Sequence, residues 1–488
     1  LGKLKEAEYS YRNAIKVNPN FAELYSNLGV TLEELGKSKE AELSYRKAIE
    51  INPNFAEFHC NLGNILRDLG NLKEAEISTR KAIQINPNFS KAYCSLSLLM
   101  IDVVNDNQLK YLFSKEILES KKNISKINQA DIYFARGNIY ERKENYKESY
   151  KMYRKANVLT RRIFKSNFAV FKKTLETDHL LSRKIKGIYE SHNKDIDLPT
   201  PIFTVGLPRS GKSTTESILA RNKLLVKFGD RKGISDAIWD YKNIEKSFQV
   251  LDISNKSSYK EIVAAYSRLA KKYHPDKGGD KEIMAKIAKG YNFLKSEFET
   301  KAENYKRPNL YKLFIQKYGK HISSNHFTCH TSPNNILHAG VIAREIPKSK
   351  IIYCYRNPKD HIIELYKYNL RGYLPLTTSI IDIAKIIVLI DTQMKEYKKR
   401  FGSQIYFLNF DQLIADPKRE IKSLLNWLNW EYDNEYLTPK LTPKGFIKSS
   451  EDINNFNTSY INNSKNYQEI LKPVEGILSK LKKITINK

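Results

Sequence analysis

The residues best suited to chemistry sit in one short stretch. Gly206-Leu207-Pro208-Arg209-Ser210-Gly211-Lys212-Ser213-Thr214 places two glycines, two cations and three hydroxyls within nine positions. The apolar run Ile202-Phe203-Thr204-Val205 leads into it, and a helical stretch through Ile218, Leu219 and Ala220 follows. Strand, glycine loop and helix in this order turn backbone N–H groups toward an anion at a helix N-terminus. Arg209 and Lys212 add positive charge, and Ser213 and Thr214 offer hydroxyls. The chemistry implied is capture of a phosphate or sulfate group. His326, Cys329 and His330 lie close in sequence but lack a fourth ligand, so no metal site is expected.

The elements that position this loop belong to a long chain. Its 488 residues predict several domains, and 41% hydrophobic with 28% charged residues is globular composition. The four cysteines, Cys60, Cys94, Cys329 and Cys354, are too widely spaced for a disulfide framework or a zinc site and suit a reducing, cytoplasmic setting. No apolar run approaches a membrane span; the stretch around Ile386–Ile390 is bounded by Lys385 and Asp391. The net charge of +29 is spread through a chain rich in Lys, Asn and Ile. No compact basic block with interleaved aromatics stands out, so no specific nucleic-acid partner is expected. Leu1 already falls inside a repeat, so the natural chain is expected to begin further upstream.

That repeat has a period of 34. Asn18-Pro19-Asn20-Phe21, Asn52-Pro53-Asn54-Phe55 and Asn86-Pro87-Asn88-Phe89 recur at this spacing, as do Gly2, Gly36 and Gly70, and Ala14, Ala48 and Ala82. The pattern resembles the tetratricopeptide repeat: small residues let two antiparallel helices approach, and each proline stops one helix before the next pair. Asp131–Val158 reads as one more helix pair. The resemblance implies a superhelix with a concave surface and a protein or peptide ligand.

Two families share the central loop. Gly206–Ser213 fits the Walker A pattern of P-loop kinases and nucleotide hydrolases. Pro208-Arg209-Ser210-Gly211 also resembles the 5′-phosphosulfate loop of sulfotransferases, above all the bacterial tetratricopeptide-repeat type and its tyrosylprotein relatives. Glu216-Ser217-Ile218-Leu219 matches the helix that follows, although Lys212-Ser213 stands where two threonines are usual. Lys350–Asp360, an apolar run ending in Arg356-Asn357-Pro358-Lys359-Asp360, is similar to that family's 3′-phosphate element. The late strand Ile405–Leu413 and the tail Asn466–Pro473 extend the match.

By this resemblance the chain transfers a sulfuryl group from 3′-phosphoadenylyl sulfate (PAPS) to a hydroxyl. Arg209, Ser210, Gly211, Lys212, Ser213 and Thr214 would hold the 5′ side of the donor, with Lys212 also acting in catalysis, and Arg356 the 3′-phosphate. Asp230, in Gly229-Asp230 where the relatives carry Gly-Glu, would be the base, with His330 as its rival. Glu364 replaces a serine expected eight residues after Arg356, and a carboxylate there is expected to repel the phosphate. The family's arginine-containing stretch before the tail is replaced by Ile453–Asn457.

Between Ile244 and Arg307 another pattern begins. One helical face carries Ile262, Ala265, Tyr266, Leu269 and Tyr273; the loop His274-Pro275-Asp276-Lys277-Gly278-Gly279 follows; a second face carries Ile283, Ile287, Tyr291 and Leu294. This resembles a J-domain, with Asp252 in place of a usual glycine. The resemblance implies an Hsp70 partner engaged by His274, Pro275 and Asp276 together with Arg268, Lys271 and Lys272.

The fold expected is therefore multidomain: an all-α tetratricopeptide superhelix (1–166), a helical connector (167–199), and an α/β sulfotransferase domain with a parallel sheet (200–245 and 307–488) interrupted by a J-domain-like hairpin (246–306). Two rival readings stand beside it: a P-loop kinase or nucleotide hydrolase, and a non-enzymatic adaptor or co-chaperone built on a decayed catalytic domain.

Overall fold

Each Asn-Pro-Asn-Phe quartet ends one helix and launches the next. In the computed structural model the leading asparagine of the later quartets folds back, Asn52 Oδ1 accepting from Asn54 N at 3.3 Å and Asn86 Oδ1 from Asn88 N at 3.1 Å. The structure describes residues 2–99, 107–119, 124–183, 199–229, 233–254, 257–298, 310, 326–368, 375–438 and 461–485. Antiparallel pairs result: α1 (Gly2–Val17), α2 (Ala22–Glu34), α3 (Ser38–Ile51), α4 (Ala56–Asp68), α5 (Leu72–Ile85) and α6 (Ser90–Leu99). Two short helices, α7 (Asn107–Phe113) and α8 (Glu116–Glu119), precede the last pair, α9 (Lys126–Arg142) and α10 (Tyr146–Ile163). The small residues do what their spacing implies. A Cβ on Gly29 would lie 2.6 Å from the Tyr45 ring, and one on Gly137 2.6 Å from the Tyr153 ring. No larger residue fits between those helices.

The α/β domain is a parallel sheet. Its described strands are β1 (Thr200–Val205), β2 (Leu225–Gly229), β3 (Phe327–His330), β4 (Lys350–Tyr355) and β5 (Ile405–Asn409), in the order β2-β3-β1-β4-β5. Strands covered on both faces read as continuous apolar runs, and β1 and β4 do. Alternation sorts their side chains. Ile202, Ile352 and Cys354 face α12 (Lys212–Leu219), while Phe203, Val205, Ile351 and Tyr353 face the opposite core. The connection leaves β1 toward β2 and β3 on one side and returns to β4 on the other. The sheet's switch point therefore lies between β1 and β4, where clefts of such sheets form.

Two departures from the expected division are found. The segment expected as a connector contains α11 (Phe168–Arg183), which packs as part of the α/β domain. Its fully buried Asp178 accepts from the N–H groups of Gly340 and Val341 at 2.9 and 3.2 Å and from Tyr397 Oη at 2.8 Å. Gly340 and Val341 open α16 (Ala339–Glu345), and Tyr397 lies in the long helix α18 (Ile380–Phe401). The last repeat pair joins the same core: Phe134, Tyr153 and Ala156 are continuous with Phe171, Phe203 and Tyr353.

The second departure concerns the hairpin. Helix α13 (Gly233–Val250) runs unbroken across the expected boundary. Its Ala237 and Ile238 pack into the main core, while Ile244 and Phe248 pack with Leu251, Ile262, Ala265, Ile287 and Leu294. The last of these belong to α14 (Tyr259–Tyr273) and α15 (Lys281–Phe298). One helix thus serves two hydrophobic cores because its apolar residues continue past both. Ser258 and Glu261 form a reciprocal capping box at the start of α14. Asp252 sits at φ +53, the left-handed region a glycine would fill without strain. Tyr266 stacks on Tyr291 at 4.0 Å, whereas Ile283, in the first turn of α15, stays exposed.

Candidate active site

The loop after β1 wraps tightly on itself. Gly206, Arg209 and Gly211 all have positive φ, at +148, +64 and +94. At Gly211 a Cβ would stand 2.1 Å from Phe410 Cδ2, so glycine is required by conformation and by space. Helix α12 starts at the next residue, Lys212. Lys212 is buried, and its Nζ donates to the Gly206 carbonyl at 2.9 Å, closing the loop onto its own first residue. Ser210 is 1% exposed, and among the described residues its hydroxyl meets no hydrogen-bond partner. A buried hydroxyl left open on the floor of an anion loop fits an incoming phosphate or sulfate oxygen. Thr214 is buried beside it and Ser213 is exposed.

The strand next to β1 supplies the second cation. β4 ends at Tyr355, and Arg356 follows with its side chain fully enclosed. Arg356 Nη2 lies 3.4 Å from Asp411 Oδ1, and its guanidinium lies 5.9 Å from the centre of the Phe410 ring. Phe410 therefore touches both halves of the site: the Gly211 turn and Arg356. The two strand ends use the same device. Asn357 Oδ1 caps α17 (Pro358–Lys367) by accepting from Lys359 N at 2.9 Å, and Asn409 Oδ1 caps α19 (Phe410–Ala415) by accepting from Asp411 N at 3.0 Å. Asp411 Oδ2 in turn accepts from Asn357 N at 2.5 Å. Burial pushes the Asp411 carboxyl up, with the Asn357 N–H and Arg356 working against it.

Helix α17 carries His361, which motif reading passed over, beside Asp360, the last residue of the Arg356–Asp360 motif. His361 Nε2 bonds the Pro208 carbonyl at 2.8 Å, pinning the loop from behind. Burial holds its imidazole down at about 3, so it is a neutral donor there. Asp360 accepts from Asn462 N and Ser464 N at 2.9 and 2.7 Å, fastening the segment before α21 (Gln468–Thr485) to the site. Arg209 stacks over Tyr368, 4.1 Å from the ring centre. The only trace of His361's role in the sequence is its position in the helix that begins just after β4.

Glu364 corrects an expectation. It does not stand as a bare carboxylate facing the ligand. It is 1% exposed, with Oε1 3.1 Å from Lys367 Nζ and Oε2 3.6 Å from Arg209 Nη2. Burial alone would raise its pKa, but Lys367, Arg209 and Arg356 outweigh that and hold it down at about 2.

The two candidate bases fare differently. Asp230 lies outside the described residues; the residue before it, Gly229, ends β2 at the same edge of the sheet as the loop. His330 is in the core, not in a cleft. Its ring lies 4.7 Å from Phe203 and 4.8 Å from Phe228, with Thr328 Oγ1 at 2.9 Å from Nε2, and burial drives its pKa down to about 3. β3 packs Cys329 against the opposite core, so strand alternation keeps these neighbours from sharing one site. Between α14 and α15, His274, Pro275 and Asp276 form an exposed turn, His274 Nδ1 accepting from Asp276 N at 3.3 Å. Arg268, Lys271 and Lys272 are exposed on α14 just before it.

A glycine-rich loop at the switch point of a parallel α/β sheet, whose core is continuous with the last helical pair, marks a chain built of two parts. Comparison with known proteins gives the parts their families. Residues 201–434 match the sulfotransferase family. Residues 22–55 and 56–89 match the tetratricopeptide repeat, as do 1–36 and 130–157 in related forms. The chain thus carries tetratricopeptide repeats ahead of a sulfotransferase-family domain. An uncharacterized protein of Aquifex aeolicus is 22% identical over 386 residues, covering 76% of this chain and 44% of its own length. A putative J domain-containing protein of Acanthamoeba polyphaga mimivirus is 31% identical over 62 residues, 13% of this chain and 32% of its own. The chain spans less than half the length of either curated relative. Among solved structures, the sulfotransferase domain from the curacin biosynthetic pathway is 14% identical, covering 58% of this chain and 98% of its own, at a TM-score of 0.32.

Proposed function

We propose that this chain is a PAPS-dependent sulfotransferase that selects a protein or peptide partner through its repeats. The observation that carries the reading is the pairing of the two strand ends: the Gly206–Gly211 loop after β1 and the enclosed Arg356 after the neighbouring β4, with the open Ser210 hydroxyl on the loop floor. When bound, PAPS supplies the sulfuryl group and departs as 3′,5′-adenosine bisphosphate. The loop N–H groups, Arg209, Lys212, Ser213 and Thr214 hold its 5′ side, and Arg356 holds the 3′-phosphate. Lys212 and Arg209 take up charge that builds on the departing phosphate. Asp230 receives the proton released by the acceptor hydroxyl as its oxygen bonds to sulfur. His330, stacked between two phenyl rings, is not given this role.

The exposed His274-Pro275-Asp276 turn with Arg268, Lys271 and Lys272 beside it favours a second reading that accompanies the first. The hairpin is a J-domain, a reading that the 62-residue likeness to the putative J domain-containing viral protein supports, and through that turn it engages an Hsp70. Among the described residues no helix is long and apolar enough to cross a membrane.

Calorimetric titration with 3′,5′-adenosine bisphosphate, run beside Mg-ATP, tests the main proposal. Binding of the bisphosphate that is lost in Arg356→Ala is the expected result. Binding of Mg-ATP alone would move the loop to a kinase or nucleotide hydrolase, and binding of neither would leave an adaptor.

A further inference from the structure

A line of alternating charges runs from the last repeat into the anion loop. Glu141, on α9, places Oε1 2.5 Å from Lys367 Nζ, at the end of α17. Lys367 Nζ lies 3.1 Å from Glu364 Oε1, and Glu364 Oε2 lies 3.6 Å from Arg209 Nη2 in the loop. All four side chains are largely enclosed, at 18%, 12%, 2% and 10% exposed. Tyr153 Oη donates to Glu141 Oε2 at 3.0 Å, anchoring the far end in the core of the repeat pair. Buried charges in one such network act as a unit, because removing one strands its neighbour in a medium of low polarity.

Resting on the proposal that the Gly206–Thr214 loop binds an anion, we propose that Lys367, held by Glu141 of the last repeat pair, is a positioning residue for Arg209. By neutralising Glu364, Lys367 limits how strongly that carboxylate claims Arg209 and leaves the guanidinium able to meet an incoming phosphate. The last repeat pair is on this account a part of the anion site, not a separate module strung ahead of it. Glu364 is the competitor that Lys367 restrains. Three geometric facts agree: Glu364 is closer to Lys367 than to Arg209; Arg209 is steadied from its other side by Tyr368, the residue after Lys367; and Asn157 of α10 donates to the Tyr366 carbonyl at 2.8 Å, fixing the end of α17 against the repeats.

The test is calorimetric titration of the full chain with 3′,5′-adenosine bisphosphate. Lys367→Met removes the restraint, and its Kd is expected to rise about tenfold, within the coupling range of residues in one network. Adding Glu364→Gln to that variant removes the competitor and is expected to restore the wild-type Kd. Thermal unfolding read beside the Kd separates the two roles: binding restored in the double variant while the unfolding temperature stays lowered by the still-unpaired Glu141 belongs to positioning, whereas a structural role restores both or neither. Glu364→Gln alone is expected to bind as well as the wild type or more tightly, which serves if Lys367→Met does not fold. An unchanged Kd in Lys367→Met, no restoration in the double variant, or weaker binding in Glu364→Gln overturns the proposal while the loop assignment stands. Binding that survives both Arg209→Ala and Lys212→Ala would overturn the loop assignment, and this inference with it.

Discussion

Lys212 Nζ donates to the carbonyl of Gly206 at 2.9 Å, so one of the two cations of the proposed anion loop also staples the loop shut. The contact joins the last strand residue's neighbour to the first residue of α12 across the whole turn. It holds a buried ammonium at the start of α12.

Removing that ammonium should separate chemistry from folding. Lys212→Ala is expected to lower sulfuryl transfer by about 100- to 1,000-fold, the scale set by loss of one donor to a developing charge. The variant is still expected to fold, at a cost of about 1–3 kcal/mol for the buried Gly206 carbonyl left without Lys212. Wild-type transfer rates in this variant would remove Lys212 from the mechanism.

Arg356 carries both binding and stability. Arg356→Ala leaves Asp411 without its guanidinium and is expected to cost about 3 kcal/mol or more, as breaking an enclosed ion pair does. The double variant Arg356→Ala with Asp411→Asn should regain part of that stability without regaining bisphosphate binding. Denaturant unfolding and calorimetry on the same two variants read the two effects apart. Recovery of binding in the double variant would mean that Arg356 acts only through Asp411.

Gly211 has no tolerable replacement. Gly211→Ala puts a methyl group within 2.1 Å of Phe410 Cδ2 at a φ of +94. Backbone strain alone is worth about 1–2 kcal/mol, and the displaced Phe410 ring carries Arg356 with it. Loss of bisphosphate binding with a lowered unfolding temperature is the expected pair of results. Trimming the ring in Gly211→Ala with Phe410→Ala relieves the clash but not the φ, so binding should remain impaired.

Acid should loosen the site before it unfolds the repeats. His330 and His361 fall from an ordinary 6.5 to about 3 in the folded chain, chiefly through burial. The unfolded chain therefore binds more protons between these values, and stability is full above pH 6.5 and lost as pH falls toward 3. Each histidine contributes a slope of about 1.4 kcal/mol per pH unit in that window. Glu364, held at about 2 against an ordinary 4.5, adds a loss of the same sign lower down. Urea unfolding between pH 7.5 and 5 should show the slope, and His330→Phe should reduce it. An unchanged slope would mean that His330 takes up its proton as readily in the folded chain as in the unfolded one.

The hairpin makes a prediction of its own. Wild-type chain is expected to stimulate the ATPase of an Hsp70, and His274→Gln to abolish that effect without altering thermal unfolding, since the side chain is exposed. Equal stimulation by both would leave the hairpin as structure alone.

Much of the fold was legible in local sequence. The 34-residue period, the strand–loop–helix around Gly206 and the strand ending in Arg356 depend on neighbours within a turn or a strand, and these elements form where the pattern puts them. The reading erred where packing at long range decides. The stretch ahead of β1 reads as a connector until Asp178 meets the N–H groups of Gly340 and Val341, more than 150 positions away. The start of the hairpin reads as a boundary at 245–246, yet α13 crosses it because apolar residues continue on both sides. His330 has the residue type of a base, and only the approach of Phe203 and Phe228 makes it a core residue.

Glu364 shows where the division falls. By itself the sequence determined the repeats, the two phosphate-type loops and the identity of the charges that could serve them, since backbone preference and periodicity are local properties. It placed a carboxylate beside an expected phosphate and could say only that the two repel. The tertiary structure decided what that carboxylate faces, by bringing Lys367 and Arg209 to it and setting Glu141 of the repeats behind Lys367. The electrostatic role of a buried charge is set by what surrounds it within a few ångströms, and those surroundings come from distant parts of the chain.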